Sequence, residues 1–512
     1  MKEIFVTKYP YFGIASLLYG IVYVICMYNN PSGITYPIFV LATLAYFILC
    51  FTWLDIKLKK DAWFYMLAIE LFGISTCITG DMRIIKMNKL AIFFLTLIFI
   101  IHQLYDDKKW DFAQYAYNII CSIFRSFSCI NRPVSDGVKY LRNKRNDREN
   151  IRAGYRKFKY IIIGIVASIP IALVVLILLV SSDEIFADIV VNIISFDFII
   201  KGMFDISDIT INVIIVFFIS YMFISFMGER KLKEQSYRKN TFEAEVGITI
   251  AVVLSVLYLV FCIIQIRYLF IGGISGEMIL PHGMTYSSYA RTGFFQLLFV
   301  SIINVIIVLV GIYGFKESKV LKGLMLFITL CTYIMIASSA FRMVLYIQYK
   351  YLTFLRLFVL LLLLIIAVIM AGVIACILNK SFPLFKFCMI VSTVFYLIFS
   401  FSRPDYFIAK VNIDNMSAET QYNFFKGSPL YDDVDLLLEE VGTDAAKIII
   451  NDEAREGYEY FKENYKSGYY NKEEKKEYFR YLYMEEVEEK TQDIGIRSFN
   501  FSEYFARKLM EQ

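Results

Sequence analysis

QIRYLFIGGISGEMILPHGMTYSSYARTGFFQL, residues 265–297, joins two long apolar runs through a polar hairpin. That pattern is one helix leaving a bilayer and the next re-entering it. Arg267 and Arg291 flank the hairpin at the expected bilayer boundary, where a charge needs water, a lipid headgroup or a partner to offset desolvation. Outward from this stretch, runs long enough to cross about 30 Å of hydrocarbon recur. They fall at 11–28, 33–53, 62–79, 89–104, 159–181, 209–228, 245–269, 293–314, 323–348, 356–378 and 383–402. The reading is therefore an all-α, polytopic membrane helix bundle of about eleven spans over residues 1–402. Composition agrees: 58% of residues are hydrophobic and 19% charged, with a mean hydropathy of +0.57, more apolar than a soluble core requires.

Charge sets the expected orientation. Between about 105 and 158 the chain crowds Arg125, Arg132, Lys139, Arg142, Lys144, Arg145, Arg148, Arg152, Arg156 and Lys157, which predicts a cytoplasmic loop. One span later, 182–208 carries Asp183, Glu184, Asp188, Asp197, Asp205 and Asp208 against Lys201 and is expected outside. The basic loops 229–239 and 316–322 return inside, which leaves the 270–290 hairpin, the Arg342–Arg356 turn and everything after 403 outside. The N-terminus is then inside, where Lys2 and Lys8 precede an uncleaved first span. The loop 80–89 is basic and conflicts with this alternation. Within the cytoplasmic loop, Phe112, Tyr115, Ile119 and Ile123 stand near helical spacing, which fits either an amphipathic helix on the inner leaflet or a core helix. The basic run after it reads as a topology signal and an anionic-lipid contact, and nucleic acid is not an expected partner.

Residues 403–512 differ: no cysteine, many tyrosines, and more carboxylates than Lys and Arg. They predict a small, helical, extracytoplasmic domain with helices over 432–442, 443–468 and 471–490. Gly442 and Gly468 are the expected stops, and Thr443 and Asn471 the caps. Tyr458, Phe461 and Tyr465, and likewise Tyr478, Tyr481 and Met484, fall at helical spacing and predict packed faces.

Several residues also carry a resemblance. Gln265, Arg267, Tyr268, Leu269, Phe270 and Gly272, then Tyr286, Tyr289, Ala290, Arg291, Gly293, Phe294, Phe295 and Leu297, are similar to the signature of an uncharacterised bacterial integral-membrane family, domain of unknown function 4173, a relative of family 4153. Arg342, Leu345 and Tyr346 with Leu352, Thr353 and Arg356 resemble a second family element, although Lys350 and Tyr351 stand where the family has tyrosine and glycine. Asp183, Phe186 and Ala187 resemble a third, and Arg497, Ser498, Phe499 and Asn500 a fourth. The resemblance implies a multi-pass protein of the bacterial cell envelope and implies no function.

Chemistry-bearing motifs are sparse. There is no phosphate-binding glycine loop, HExxH, GxSxG or dinucleotide fingerprint, and with only His102 and His282 among the histidines a metal site is not expected. The nine cysteines read as small core residues, and no cofactor is expected. Glu70, near the middle of an apolar run, is either a proton- or cation-handling group or a neutral carboxyl bonded to a neighbouring helix. Gln265, Gln296 and Asn304 read as interhelical hydrogen bonders. Arg267, Arg291, Arg342 and Arg356, with Tyr346, are expected to converge on the outer boundary as a substrate-binding cluster for an anionic lipid or lipid-linked ligand. Alternatives are a non-enzymatic sensor or scaffold docking a protein partner through its C-terminal domain, and a membrane-embedded transferase using Asp183 or Glu184. Membrane lipids are partners in every case.

Overall fold

The computed structural model describes residues 2–30, 32–107, 110, 112–146, 197–230, 232, 242–267, 286–349, 352–379, 381–417, 441–450, 472–492 and 495–511. For 2, 113, 145–146, 197–207, 286–293, 348–349, 413–417 and 472–479 it describes the backbone alone. The expected span 159–181, Asp183 and Glu184, the hairpin from Tyr268 to Thr285 and the expected helix 432–442 fall outside the described residues.

The described residues are helical. In hydrocarbon every backbone N–H and C=O needs an internal partner, and a helix supplies it within one segment. The helices are α1 (Lys2–Thr7), α2 (Tyr9–Met27), α3 (Thr35–Trp53), α4 (Ala62–Ile78), α5 (Met82–Leu104), α6 (Phe112–Ser126), α7 (Arg132–Asn146), α8 (Asp197–Gly228) and α9 (Ala244–Ile264). They continue with α10 (Tyr286–Gly314), α11 (Lys319–Tyr349), α12 (Phe354–Leu378), α13 (Leu384–Phe401), α14 (Pro404–Ser417), α15 (Ala446–Ile449), α16 (Lys472–Thr491) and α17 (Phe501–Glu511). Among the described residues, nine helices are long and apolar enough to cross a membrane: α2, α3, α5, α8, α9, α10, α11, α12 and α13. Each coincides with a predicted span. The run at 62–79 forms the shorter apolar helix α4. The chain is a multi-pass membrane protein.

The chain groups into two units. Unit one comprises 1–31, 41–59 and 121–232; unit two comprises 32–40, 60–120 and 233–512. In unit one, α2 lies against α8 so closely that a Cβ on Gly20 would come within 2.8 Å of the Val213 carbonyl oxygen. Ser16 and Tyr46 share a buried 2.9 Å hydrogen bond that ties α2 to α3.

In unit two, α9, α10, α11, α12 and α13 share one apolar core that includes Tyr258, Leu298, Met335, Val359 and Leu384. Asn304 of α10 accepts from Tyr258 Oη of α9 at 2.6 Å and donates to Thr332 Oγ1 of α11 at 2.9 Å, joining three helices. Gln265, at the end of α9, accepts from Ser338 of α11 at 2.7 Å. Both are interhelical bonders as expected, whereas Gln296 is exposed. The described residues after 403 belong to unit two and pack on Ile84, Leu352, Phe354 and Phe399 through Ile408, Ile449, Tyr483 and Val487.

Local expectations need correction at three places. Helix α6 forms, but Tyr115 faces inward and the exposed apolar residues are Phe112, Ile120 and Phe124; Gln114, Asn118, Ser122 and Ser126 form a buried polar row. Over 443–450 the expected helix is a 3₁₀ turn, Thr443–Ala445, and the four residues of α15, with Ile450 extended (φ −87°, ψ 102°), while 451–468, with Tyr458, Phe461, Tyr465 and the expected stop at Gly468, lie outside the described residues. Thr443 does not cap it, because its hydroxyl is bonded to Ser502 at 2.8 Å. The expected packed face of 471–490 is present, with Tyr481 and Met484 buried. If Asn304 carries the α9–α10–α11 junction, Asn304→Leu should lower stability by about 1 kcal/mol. Thermal unfolding of the purified protein in detergent checks this, and an unchanged midpoint counts against it.

Candidate functional site

At one end of unit two, four segments far apart in sequence meet in a buried polar knot. Asp81 caps α5, its Oδ1 accepting from the Arg83 backbone N–H at 2.8 Å. The Arg83 guanidinium turns back on the same carboxylate, Nε to Oδ1 at 3.0 Å and Nη2 to Oδ2 at 3.2 Å, and Nη2 also donates to Asp405 Oδ1 at 2.7 Å. Its Cζ lies 4.3 Å above the Phe354 ring. The other Asp405 oxygen accepts from the Gly442 N–H at 2.8 Å. Next in the chain, Asp444 Oδ2 accepts from Thr79 Oγ1 at 2.5 Å and from the Gly80 N–H at 3.2 Å. Asn500 closes the knot, donating from Nδ2 to the Thr79 carbonyl and capping α17 through Oδ1.

Three carboxyls, Asp81, Asp405 and Asp444, are thus withdrawn from solvent, the first two on the Arg83 guanidinium. Burial, reinforced by the neighbouring Asp81 charge, raises Asp405 well above the ordinary carboxylate range despite Arg83 and the Gly442 N–H. Burial likewise raises Asp444, against the hydrogen bonds from Thr79 and Ser502 and the charge of Arg403. Both carboxyls are thereby biased toward their protonated forms. Among the described residues no group of His, Cys, Asp and Glu is arranged to hold a metal ion.

The RSFN stretch serves the same end of the unit. Gly33 has φ +123°, and a Cβ there would lie 2.6 Å from the Arg497 carbonyl oxygen. This approach lets Ile34 N donate to the Phe499 carbonyl at 2.8 Å, and Thr35 Oγ1 to that of Arg497 at 3.2 Å.

The expected arginines are partly gathered. Arg342 is buried and donates from Nη2 to Gln265 Oε1 at 3.3 Å, two residues before the exposed Arg267. One turn further along α11, Tyr346 lies beneath Arg356, whose Cζ is 4.4 Å from the ring centroid. Arg291 is on the first turns of α10, and its side chain is outside the described residues. Glu70 is on α4, away from any ion pair among the described residues, with Oε2 buried and no hydrogen bond to it. At the opposite ends of α5 and α13, His102 Nδ1 lies 2.5 Å from Asp107 Oδ2, which also accepts from Tyr115; Tyr115 stacks on Phe385 at 3.8 Å.

The knot was missed from sequence. Its only local signal is the acidic cap followed two residues later by arginine, DMR at 81–83, at the mouth of an apolar run; nothing in spacing links it to Asp405 or Asp444. A family described as Domain of unknown function (DUF4153) matches residues 66–451. No curated protein and no solved structure matches the chain.

Because both raised carboxyls favour their protonated form when buried, docking of α17 is fully supported below the ordinary carboxylate range and weakens as pH rises through the raised values. Backbone amides of Phe501–Glu511, corrected for intrinsic exchange rates, should be better protected at about pH 5 than at about pH 8. Asp444→Asn should shrink that difference; equal protection at both pH values in the parent protein would sink the reading.

Proposed function

The chain belongs to that family of unknown function, and we propose that it binds or transports an anionic component of the cell envelope, a lipid headgroup or a lipid-linked polymer. The observation that carries this reading is the Arg356 guanidinium stacked over Tyr346, one helical turn from Arg342 on α11. A guanidinium held against a ring keeps the planar fork of donors that pairs with a phosphate or carboxylate. Gln265 holds the second cation from below, and Arg267 follows it at the boundary. The cytoplasmic bias of 105–158 supports an outward placement of this end, with the N-terminus inside and the C-terminal segment outside.

A second reading, docking of a protein partner through the C-terminal segment, is favoured by the exposed Phe501, Tyr504 and Phe505 on α17.

Two measurements test these assignments. Arg342→Gln and Arg356→Gln should each weaken binding of an anionic phospholipid, followed by native mass spectrometry, by roughly 1–3 kcal/mol, with a less than additive double variant. Arg356→Lys should restore little, since an ammonium lacks the planar fork. Unchanged lipid affinity in both single variants refutes the cluster. For orientation, a cysteine at Lys508 in a cysteine-free background should react with an impermeant maleimide on intact cells; reaction only after lysis reverses the topology.

A further inference from the structure

Helices α6 and α7 are joined by a 3₁₀ turn, Phe127–Cys129, and from Cys121 onward they belong to unit one. Their buried side is polar and closely fitted. Ser122, Ser126 and Asp136 have almost no exposure, and a Cβ on Gly137 would come within 2.7 Å of the Tyr9 ring. Asp136 accepts from Tyr221 Oη and from Arg132, each at 3.4 Å, while Arg132 also pairs with Glu229. Tyr9 opens α2, and Glu229 follows the last residue of α8. Helix α7 therefore lies across one end of unit one, where one span starts and another stops.

The opposite side is apolar. Phe124, Phe127, Ile130, Val134, Val138 and Leu141, spaced by three or four residues, are between 38% and 70% exposed. Arg125, Lys139, Arg142 and Lys144 are exposed along it. Between 112 and 144 Asp136 is the single carboxylate in the sequence, and it is fully buried. The outer surface of the stretch accordingly carries the apolar row, the cations and a few uncharged polar groups, with no anionic side chain to select a basic protein partner.

We infer that the α6–α7 stretch is a membrane-surface module that lies in the headgroup region and takes anionic phospholipid. Several features favour lipid over another protein: the position at span ends, the apolar row for acyl chains and the cations beside it for headgroups. With 15 residues each, α6 and α7 are also too short to cross the bilayer. The inference is independent of the arginines on α11 and α12.

The test uses the full chain in vesicles of mixed phosphatidylcholine and phosphatidylglycerol. A benzophenone amino acid is placed at Phe124 and, separately, at Val138, and the cross-linked peptides are identified by mass spectrometry. Both probes should form lipid adducts enriched in phosphatidylglycerol over the bulk mixture. Changing Arg125, Lys139, Arg142 and Lys144 to Gln should lower that enrichment, by up to about fivefold per cation removed. Adducts to a second copy or another protein, absence of lipid adducts at either probe, or an enrichment indifferent to the four cations would each overturn the assignment.

Discussion

Arg83 holds two carboxylates at once, and the end of unit two is assembled around it. Neither Asp81 nor Asp405 could be withdrawn from water as an isolated anion, since the desolvation cost of a carboxylate exceeds what packing returns. One guanidinium with two acceptors offsets part of both burials, although Asp405 stays raised toward its protonated form, and the shared contact fixes where α5 begins relative to α14. Gly442 then follows from the remaining Asp405 oxygen, and Asp444 is brought against Thr79. The apolar contacts of Tyr483, Ile449 and Ile84 fill in around a frame that the polar contacts orient.

The same rule operates more quietly within the spans. An unsatisfied polar side chain in hydrocarbon is costly, so each becomes a joint between helices. Asn304 connects α9, α10 and α11, and Gln265 receives Ser338 and Arg342 from α11. Gln265 thus does two things: it satisfies a helix–helix contact and holds a cation at the boundary beside Arg267. Structural support and the proposed anion site share atoms, which is why a change at Gln265 would not separate them, whereas Arg356, stacked on Tyr346 from a different helix, can.

Unit one resolves its polar groups differently. Asp136, Arg132, Tyr221 and Glu229 neutralise one another beneath α7, and the consequence appears on the other side of the helix, where cations stand beside the apolar row and no anionic group remains. Periodicity leaves the row Phe112, Tyr115, Ile119 and Ile123 open between the inner leaflet and a helical core. In the fold Tyr115 binds Asp107 and stacks on Phe385, while Phe112, Ile120 and Phe124 are exposed.

By itself the sequence determined the class of this protein and the position of nine described spans, because hydropathy over some twenty residues is a local quantity that the bilayer reads directly. It also marked Asn304 and Gln265 as joints and Tyr481 and Met484 as a packed face, since each stands out from its own helix. The tertiary structure alone decided the knot. Asp405 lies 322 residues from Arg83, and Asp444 364 residues from Gly80, distances over which no periodicity or spacing carries information. It also decided that residues 443–450 make a 3₁₀ turn and four helical residues, where local propensity favours an unbroken helical start. The hydrogen bonds that Asp444 and Thr443 make to Thr79 and Ser502 are formed only when the distant segments meet, and there they outweigh the small propensity gain of a regular α-turn at Thr443–Ala445.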